Sequence, residues 1–427
     1  MQLKVSKRNQ LQDINIRLSG AKNALLHLLF ASLLTEETTT LKNVPSSLRD
    51  YHAVCDILQA IGAKVDSGNG IVAITAPQKF NKIELSSNYT RRTRTSLMLL
   101  GALVKKVGKL SIGDPGGCLF SEQRPFDIHL QGFKALGAKI VHDDYHINIE
   151  HIADKSAEYI LRYPSVGASI NLMLYATLGC HLVKLYNIAL EPEVIEVASF
   201  LNYAGAKINI NHSQRTMYIE GVEKLVGVCF RVMYDRIQTM TYGALAYLHD
   251  LNVCVEGVDT EEYIAKPLKI LKEMGAKWKF EPENKRIYFY GKKSILKPNQ
   301  ITAKPYPEFP TDLQPIFAVM CGKADGISKI RDTVYPERIK YIYELQKLNF
   351  PIEYHDGYIK VIGNKLHNLY ATSMKSYDLR AGMALVMGAS LSDQVCTITS
   401  AEQIFRGYEN LLENLTYFMH ISIDTED

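Results

Sequence analysis

The feature that most constrains the fold of this chain is a tripeptide that recurs in phase. Gly-Ala-Lys stands at positions 62–64, 137–139, 205–207 and 275–277, with steps of 75, 68 and 70 residues. The same step leads on to Asn349-Phe350-Pro351 and then to Met419-His420-Ile421. A fixed period of this kind is typical of repeated supersecondary units. Six units of roughly 70 residues therefore fill almost the whole chain of 427 residues.

Each unit contains two kinds of helix pattern. One is amphipathic, as in Val54, Ile57, Leu58 and Ile61, which share one helical face. The glycine of the tripeptide predicts the end of that helix, and a pair of strands follows it. The other pattern is apolar on all sides and predicts a helix buried within its unit. These buried helices are predicted over 24–34, 96–107, 168–178, 237–248, 313–320 and 381–391.

Polar residues stand at the openings of the buried helices. The cations there are Lys22, Arg94, Arg236 and Arg380, and the short polar residues are Ser165, Thr311, Asp312 and Asp378. Each short polar residue, taken alone, fits an ordinary helix cap. A cation at a helix N-terminus opposes the helix dipole, however, unless an anion lies beside it. Helix N-termini that converge on one surface would bind such an anion, which predicts a small phosphorylated substrate.

Composition excludes several classes of function. Lys plus Arg number 49 and Asp plus Glu number 45, so a net charge of +4 does not indicate a nucleic-acid-binding scaffold. The seven cysteines and 12 histidines show neither disulfide-framework nor zinc-ligand spacing, which predicts no metal. The N-terminus lacks a signal-peptide pattern, and no apolar run approaches about 18 residues. We therefore expect a cytoplasmic enzyme with no membrane association.

A glycine-rich loop carries the most reactive candidate. Gly113-Asp114-Pro115-Gly116-Gly117-Cys118 leads to Arg124-Pro125, and such glycines indicate a loop that approaches another backbone closely or moves. Cys118 fits either an ordinary loop thiol or an activated thiol that serves as acid or nucleophile. The other cysteines lie in or beside apolar segments and are predicted to be core thiols: Cys55, Cys180, Cys229, Cys254, Cys321 and Cys396.

Several of these segments together resemble one known family. They are residues 18–24, 115–118, Arg124-Pro125 with Asp127 and His129, 165–168, 235–237, 309–312, 378–381 and 406–409, in family order. Over essentially the full chain they are similar to the UDP-N-acetylglucosamine 1-carboxyvinyltransferases, which belong with EPSP synthase among the enolpyruvyl transferases. EPSP synthase itself would show Gly-Asp-Lys-Ser where this chain has residues 20–23, Gly-Ala-Lys-Asn.

The resemblance implies an α/β fold with a definite domain organisation. The family fold is a two-domain inside-out α/β barrel of six βαβαββ-type repeats, three per domain, in agreement with the repeat count. One domain would comprise residues 1–21 plus 233–427 and contribute Asp312, Asp378, Arg380 and Arg406. The other would be an inserted domain, residues 22–232, that contributes the Cys118 loop. The active site would lie in the cleft between them.

The resemblance also implies the reaction and its residues. The enolpyruvyl group of phosphoenolpyruvate would pass to the 3′-hydroxyl of UDP-N-acetylglucosamine, with Cys118 as proton donor and Asp312, near Asp378, as base. Phosphate and carboxylate would be held by Lys22, Arg124, Arg380 and Arg406, with Arg338 as a further arginine of the site. The acceptor would be held by Asn23, Arg94, Pro125, Phe126, Asp127, Ile128, Tyr163, Ser165, Val166, Gly167, Asp312 and Val334. No cofactor, metal, nucleic acid or obligate protein partner is implied.

Departures from the family pattern leave the acceptor open. Five residues separate Cys118 from Arg124 where the family usually has four, and Tyr163-Pro164 stands where a lysine usually faces the acceptor diphosphate. Phe126 and Leu190 also replace the usual residues. Three hypotheses follow: the peptidoglycan enzyme, an enolpyruvyl transferase on another uridine nucleotide such as UMP, and a non-catalytic binding paralogue. The residues that the resemblance assigns to phosphoenolpyruvate, the enolpyruvyl donor, are all present in the sequence, which argues against the third.

Overall fold

The computed structural model describes residues 1–81, 83–116, 126–143 and 146–424. Its α-helices within these ranges are α1 Lys22–Ala31, α2 Arg49–Ala60, α3 Ser87–Thr90, α4 Met98–Val107, α5 Asp127–Ala135, α6 Val166–Thr177, α7 Pro192–Tyr203, α8 Arg236–Leu248, α9 Ala265–Glu273, α10 Gln314–Met320, α11 Lys340–Lys347, α12 Leu379–Ala389 and α13 Leu411–Thr416. Short 3-10 turns adjoin several of them: Ser32–Leu34, Arg94–Leu97, Glu262–Ile264, Gly291–Lys293, Thr311–Leu313, Cys321–Lys323 and Ala401–Arg406.

The β-strands of the same ranges are short, with three to six residues each. They are β1 Gln2–Lys7, β2 Ile14–Arg17, β3 Thr39–Lys42, β4 Lys64–Gly68, β5 Ile71–Thr75, β6 Ile83–Leu85, β7 Lys109–Gly113, β8 Ala138–His142, β9 His146–His151, β10 Ala157–Ile160, β11 Leu182–Tyr186, β12 Lys207–Asn211, β13 Thr216–Glu220, β14 Cys229–Arg231, β15 Asn252–Glu256, β16 Trp278–Glu281, β17 Arg286–Tyr290, β18 Gln300–Ala303, β19 Ile327–Asp332, β20 Ile352–His355, β21 Tyr358–Ile362, β22 Ser373–Lys375, β23 Cys396–Thr399 and β24 Met419–Asp424.

These strands form six four-stranded sheets that share one topology. In each sheet an edge strand pairs in parallel with the second strand, and the second, third and fourth strands pair antiparallel. The orders are β14-β3-β5-β4, β6-β7-β9-β8, β10-β11-β13-β12, β2-β15-β17-β16, β18-β19-β21-β20 and β22-β23-β1-β24. The prediction of six repeats is therefore confirmed.

The βαβαββ order within a repeat is also confirmed. It is contiguous in β6, α4, β7, α5, β8 and β9, and again in β10–β13 with α6 and α7 and in β18–β21 with α10 and α11. In the other three sheets one strand comes from a distant part of the chain: β14, β2 or β1. Within the described residues the six sheets stay separate and do not close into a single barrel.

The glycines of the repeated tripeptide end the amphipathic helices, as predicted. Gly62, Gly137, Gly205 and Gly275 all have positive φ angles, between 81° and 104°. A residue with a side chain is strained in that left-handed region, and glycine is not. In the fifth repeat Asn349 takes the same role with a φ of 64°, because asparagine tolerates this conformation better than most residues.

The described chain divides into two compact units, and the sheets divide three and three. Unit 1 contains residues 1–19 and 234–424, and unit 2 contains residues 20–116 and 126–233. In unit 2 the buried helices α4 and α6 pack closely, since a Cβ at Gly101 would lie only 2.2 Å from Asn171 O. In unit 1, α10 packs against α8 and α12. Although these helices are strongly apolar, no helix of the described ranges is long and apolar enough to cross a membrane.

The prediction that all six remaining cysteines are core thiols is partly wrong. Cys55, Cys254, Cys321 and Cys396 are buried, but Cys180 and Cys229 are exposed. Cys180 lies in the turn that precedes β11, outside the apolar helix that it follows in sequence. Cys229 begins β14, a three-residue edge strand whose first and last residues are exposed. Apolar neighbours in the sequence therefore do not ensure burial at a turn or a sheet edge.

Candidate active site

The carboxylate of Asp312 is held between two arginines of unit 1. Asp312 lies in the 3-10 turn that opens α10, and about a quarter of its side chain is exposed. Arg338 Nη1 donates to its Oδ1 over 3.3 Å, and Arg380 Nε donates to its Oδ2 over 3.3 Å. Both arginine side chains are at least 95% buried, so their charges are poorly screened by solvent. The two guanidinium groups therefore hold the Asp312 carboxylate by charge-assisted hydrogen bonds.

Arg338 joins a second carboxylate to this cluster. Its Nε lies 3.9 Å from Asp378 Oδ2, and its guanidinium lies over the ring of Tyr335. Burial acts to lower the pKa of Arg338, but the carboxylates of Asp378, Asp312 and Asp332 raise it, and the net shift is upward. Arg338 is therefore a permanent cation that three acidic residues surround.

Asp378 also caps a helix. Its Oδ1 accepts the backbone N–H groups of Arg380 and Ala381, at 2.8 and 3.0 Å, at the start of α12. Asp235 caps α8 in the same way, with bonds of 2.9 Å from Ile237 N and Gln238 N. The cap interpretation thus holds for Asp378, and the structure adds Asp235 as a second cap of this kind. Asp312 differs, because its turn shows no side-chain cap and its oxygens face the arginines.

Arg380 brings the openings of three buried helices together. It lies in the first turn of α12 and contacts Asp312 at the opening of α10. It also interacts electrostatically with Asp235, the N-cap of α8. Its guanidinium lies 5.1 Å from the ring centroid of Tyr408. Burial lowers the pKa of Arg380, whereas Tyr408, Asp312 and Asp235 raise it above its ordinary value. The predicted convergence of helix N-termini is thus observed within this unit.

Arg406 and Val334 lie on two further segments of unit 1. Arg406 ends the 3-10 turn Ala401–Arg406, and its Nη1 donates to Gln403 Oε1 over 3.0 Å. A Cβ at Gly407 would lie 3.6 Å from Arg380 Nη1, so the segment carrying Arg406 passes close to Arg380. The backbone N–H of Val334 donates to Asp332 Oδ1 over 2.8 Å.

In unit 2, Lys22 pairs with a carboxylate that the sequence did not indicate. Lys22 is the first residue of α1, and its Nζ lies 2.8 Å from Asp50 Oδ2, with both side chains buried. The neighbouring Asn23 is partly exposed. A protein carboxylate thus supplies the anion that a cation at a helix N-terminus requires.

Arg94, Phe126 and Gly167 meet around a buried histidine of the same unit. The guanidinium of Arg94 lies 5.9 Å from the Phe126 ring centroid, and Phe126 also meets His142 edge-on. A Cβ at Gly167 would lie 3.0 Å from His129 Cε1. Burial lowers the pKa of His129 to about 3, helped by the charges of Arg94 and His27. His129 is therefore neutral, and Asn171 Nδ2 donates to its Nδ1 over 3.1 Å.

The predicted acceptor turn opens α6. Ser165 caps this helix, because its Oγ accepts Ala168 N over 3.3 Å, while its own N–H donates to Tyr163 O. Val166 and Gly167 form the first turn, where N–H groups have no partner within the helix. Arg162 is exposed and holds Asp127 with two contacts, at 2.5 and 2.8 Å. Asp127 begins α5, and the next residue, Ile128, is buried.

Three predicted site residues lie outside the described ranges: Cys118, Arg124 and Pro125. Sequence reasoning missed Asp50, Asp332 and Tyr408 as neighbours of the predicted site residues. A helix-opening cation without an acidic residue nearby in sequence is one signal that would have prompted a search for Asp50. No group of three or more His, Cys, Asp or Glu side chains in the described part of the chain is placed to hold a metal ion.

Sequence comparison identifies the family. Residues 5–415 match the family described as EPSP synthase (3-phosphoshikimate 1-carboxyvinyltransferase). The chain belongs to the EPSP synthase family. Its relatives include a UDP-N-acetylglucosamine 1-carboxyvinyltransferase of Halothermothrix orenii, 36% identical over 401 residues and 94% of each chain. Another is UDP-N-acetylglucosamine 1-carboxyvinyltransferase 2 of Carboxydothermus hydrogenoformans, 35% identical over 94% of each chain.

Solved structures support the same fold for this family member. The enolpyruvyl transferase NikO from Streptomyces tendae superposes with a TM-score of 0.88, at 21% identity, over 99% of this chain and 98% of that one. EPSP synthase from Acinetobacter baumannii superposes with a TM-score of 0.76, at 17% identity, over the full length of both chains. The predicted α/β repeat fold and the resemblance to this family are therefore confirmed, and the protein is a carboxyvinyltransferase by family.

Proposed function

We propose that this protein transfers the enolpyruvyl group of phosphoenolpyruvate to the 3′-hydroxyl of UDP-N-acetylglucosamine, with release of phosphate. Family membership and the names of the relatives at 35–36% identity support this reaction. The single observation that carries it is the Asp312 carboxylate between the buried guanidinium groups of Arg338 and Arg380. The reaction would belong to peptidoglycan synthesis, in the cytoplasm.

The chemistry needs an acid, a base and cations. The methylene carbon of phosphoenolpyruvate takes up a proton while the acceptor oxygen bonds to the neighbouring carbon and gives up its own proton. The tetrahedral adduct then loses phosphate and a methyl proton, which restores the double bond as an enolpyruvyl ether. Two anionic groups of phosphoenolpyruvate stay charged throughout, so fixed cations stabilise every state along the path.

Asp312 fits the role of base. A carboxylate whose two oxygens each accept from a different arginine has a fixed orientation and retains lone pairs for the acceptor hydroxyl. Arg380 is well placed to hold an anion, because it is buried, permanently charged and close to the segment of Arg406. Asp378 would orient the Arg338 side of the cluster.

The remaining assignments rest on the resemblance to the family. Cys118 would donate the proton to the methylene carbon, and Lys22, Arg124 and Arg406 would hold phosphate and carboxylate. The first turn of α6 and Arg94 would hold the nucleotide, since helix N–H groups and a guanidinium bind phosphate. An epoxide phosphonate mimic of phosphoenolpyruvate, of which fosfomycin is the example, would alkylate Cys118.

Phosphate release tests the proposal. Purified protein is given phosphoenolpyruvate with UDP-N-acetylglucosamine, with UMP, or alone, and mass spectrometry looks for the enolpyruvyl ether. We expect release with the UDP-sugar only. If phosphate is released with phosphoenolpyruvate and UMP but not with the UDP-sugar, UMP is the acceptor. Nucleotide binding without any phosphate release would identify a non-catalytic paralogue.

A matched pair of variants tests the base. Asp312→Asn keeps the shape but is a far weaker base, so kcat should fall by about 100-fold or more. Asp325→Asn is the control, because Asp325 is an exposed aspartate of the same unit whose side chain bonds to Asn364. Equal activity of the two variants would remove Asp312 from the proposed role.

A further inference from the structure

Asp332 holds two segments of unit 1 with one carboxylate. It ends β19 and is buried. Its Oδ1 accepts the backbone N–H groups of Val334 and Tyr335 at 2.8 and 2.9 Å, and its Oδ2 accepts the hydroxyl of Thr311 at 2.6 Å. The two oxygens therefore serve separate purposes: one shapes the turn at 334–335, and the other fixes a side chain next to Asp312.

The Thr311 side chain passes this constraint to the proposed base. Because its hydroxyl hydrogen points to Asp332, its oxygen lone pairs face Arg338, whose Nη1 lies 3.2 Å away. The same Nη1 donates to Thr311 O over 2.8 Å and to Asp312 Oδ1 over 3.3 Å. Two oxygen atoms of Thr311 thus fix the position of Arg338 Nη1. That position in turn determines where Asp312 Oδ1 accepts its hydrogen bond.

We propose that Asp332 is a positioning residue for enolpyruvyl transfer. Through Thr311 and Arg338 it orients Asp312, and through the 334–335 turn it fixes the Val334 backbone, which is assigned to the acceptor. Both groups would act on the same acceptor molecule, one on its hydroxyl and one on its nucleotide. This inference rests on the proposed function, since Asp312 and Val334 have their roles from it.

A carboxylate is required at position 332 for the Thr311 contact. In Asp332→Asn the amide oxygen still accepts the N–H groups of Val334 and Tyr335. The amide nitrogen, however, is a donor, so it competes with Arg338 for the lone pairs of Thr311 and leaves the hydroxyl hydrogen without its acceptor. Asp332→Asn therefore spares the turn and disturbs the orientation of Asp312, whereas Asp332→Ala removes both contacts.

The test separates turnover from acceptor binding. Asp332→Asn and Thr311→Val should each lower kcat about tenfold or more, because each removes a hydrogen bond to a charged group, and should leave the KM for phosphoenolpyruvate unchanged. Thr311→Ser keeps the hydroxyl and should restore kcat. Asp332→Ala should lower kcat and, in addition, weaken binding of UDP-N-acetylglucosamine measured by calorimetry without turnover.

Asp13→Asn is the matched control. Asp13 lies in the same unit, accepts the backbone N–H of Asn252 over 3.2 Å and pairs with Lys292 on the surface. Its loss removes the same chemical group and should leave kcat at the wild-type value.

The outcomes distinguish the two levels of the proposal. Wild-type protein that releases no phosphate with either acceptor would overturn the proposed function, and the role of Asp332 with it. An active wild type with an Asp332→Asn variant of equal kcat would overturn only the positioning role. A Thr311→Ser variant as slow as Thr311→Val would do the same, because the hydroxyl would then be irrelevant.

Discussion

Lys22 and Asp50 form a buried ion pair in which Nζ lies 2.8 Å from Oδ2. The pair joins the first residue of α1 to the first turn of α2 within unit 2. Lys22 is predicted to hold an anionic group of phosphoenolpyruvate. Because its side chain is buried, the carboxylate of Asp50 balances its positive charge within the protein. The pair consequently bears on stability as well as on binding.

Removing one partner of the Lys22–Asp50 pair should lower the free energy of unfolding far more than removing both partners. Asp50→Ala leaves the Lys22 ammonium buried without its carboxylate, which should lower the free energy of unfolding by about 3–5 kcal/mol. The double variant Lys22→Met with Asp50→Leu replaces the pair by apolar side chains and should lose much less. Urea unfolding followed by circular dichroism measures both. Equal losses in the two variants would show that the charge of Lys22 does not determine the effect.

Alkylation should distinguish Cys118 from the other thiols. Burial raises the pKa of Cys55 to about 11 and the pKa of Cys321 to about 12, so these thiols should react slowly. Cys180 and Cys229 are exposed and provide the fair comparison. With the acceptor nucleotide present, an epoxide phosphonate should attach to Cys118 alone, as located by mass spectrometry. Attachment to Cys180 or Cys229 at a similar rate would show that Cys118 reacts only because it is exposed and not because it is activated. Cys118→Asp should stay active, whereas Cys118→Ala should lose most activity.

Acid should weaken unit 2 through His129. Its folded pKa of about 3 lies below the ordinary value of 6.5, so the unfolded chain binds the proton more readily. The stability due to neutral His129 is complete above about pH 6.5 and is lost progressively as the pH falls towards 3. Between pH 7 and pH 5 the loss should be about 2 kcal/mol. His129→Gln, whose amide oxygen can accept from Asn171, should remove this part of the pH dependence. His52→Gln, at an exposed position of the same unit, should leave it unchanged, and urea unfolding at both pH values measures the difference.

The acceptor turn should accept a lysine with a gain in affinity. Arg162 is already held by Asp127 with two contacts, and Pro164 has no N–H group to offer a phosphate. Tyr163→Lys would add a cation beside the first turn of α6 and should tighten UDP-N-acetylglucosamine by about 1–2 kcal/mol. UMP, with a single phosphate, should bind almost as before. Calorimetric titration of both nucleotides decides this, with Tyr203→Lys at an exposed site of the same unit as control. No gain for the UDP-sugar would mean that Arg162 leaves Asp127 to meet the diphosphate.

The parts of the fold that depend on local periodicity were predictable from the sequence. The buried helices and the glycines that end the amphipathic helices leave a signal within about 20 residues, and the six repeats leave one at a fixed period of roughly 70 residues. Asn349 fits the same rule, because its φ of 64° is positive like those of Gly275 and the other glycines that end amphipathic helices. Strand partners were not predictable in this way, since β14 joins β3 from nearly 190 residues away and no short-range pattern encodes that choice.

The candidate site was predictable to a smaller extent. Residues at helix openings such as Asp312 and Arg380 stand out because their polarity conflicts with the apolar helices that follow. Asp332 and Asp50 do not stand out, because a polar residue after a strand or in the first turn of an amphipathic helix is ordinary. Their significance depends on which side chain the tertiary fold brings to them, Thr311 in one case and Lys22 in the other.

The position of β1 has a consequence for the order in which a ribosome can complete the two units. This strand, residues 2–7, lies between β23 and β24, the two most C-terminal strands of the described residues. It is synthesised long before β23 and β24, so its backbone groups must wait for those strands to find their partners. The three sheets of unit 2 draw only on residues 39–231, so that unit can complete its hydrogen bonds while the rest is still being translated. We expect nascent chains halted after residue 233 and clear of the ribosomal exit tunnel to resist proteolysis over unit 2, with residues 1–19 still open to cleavage.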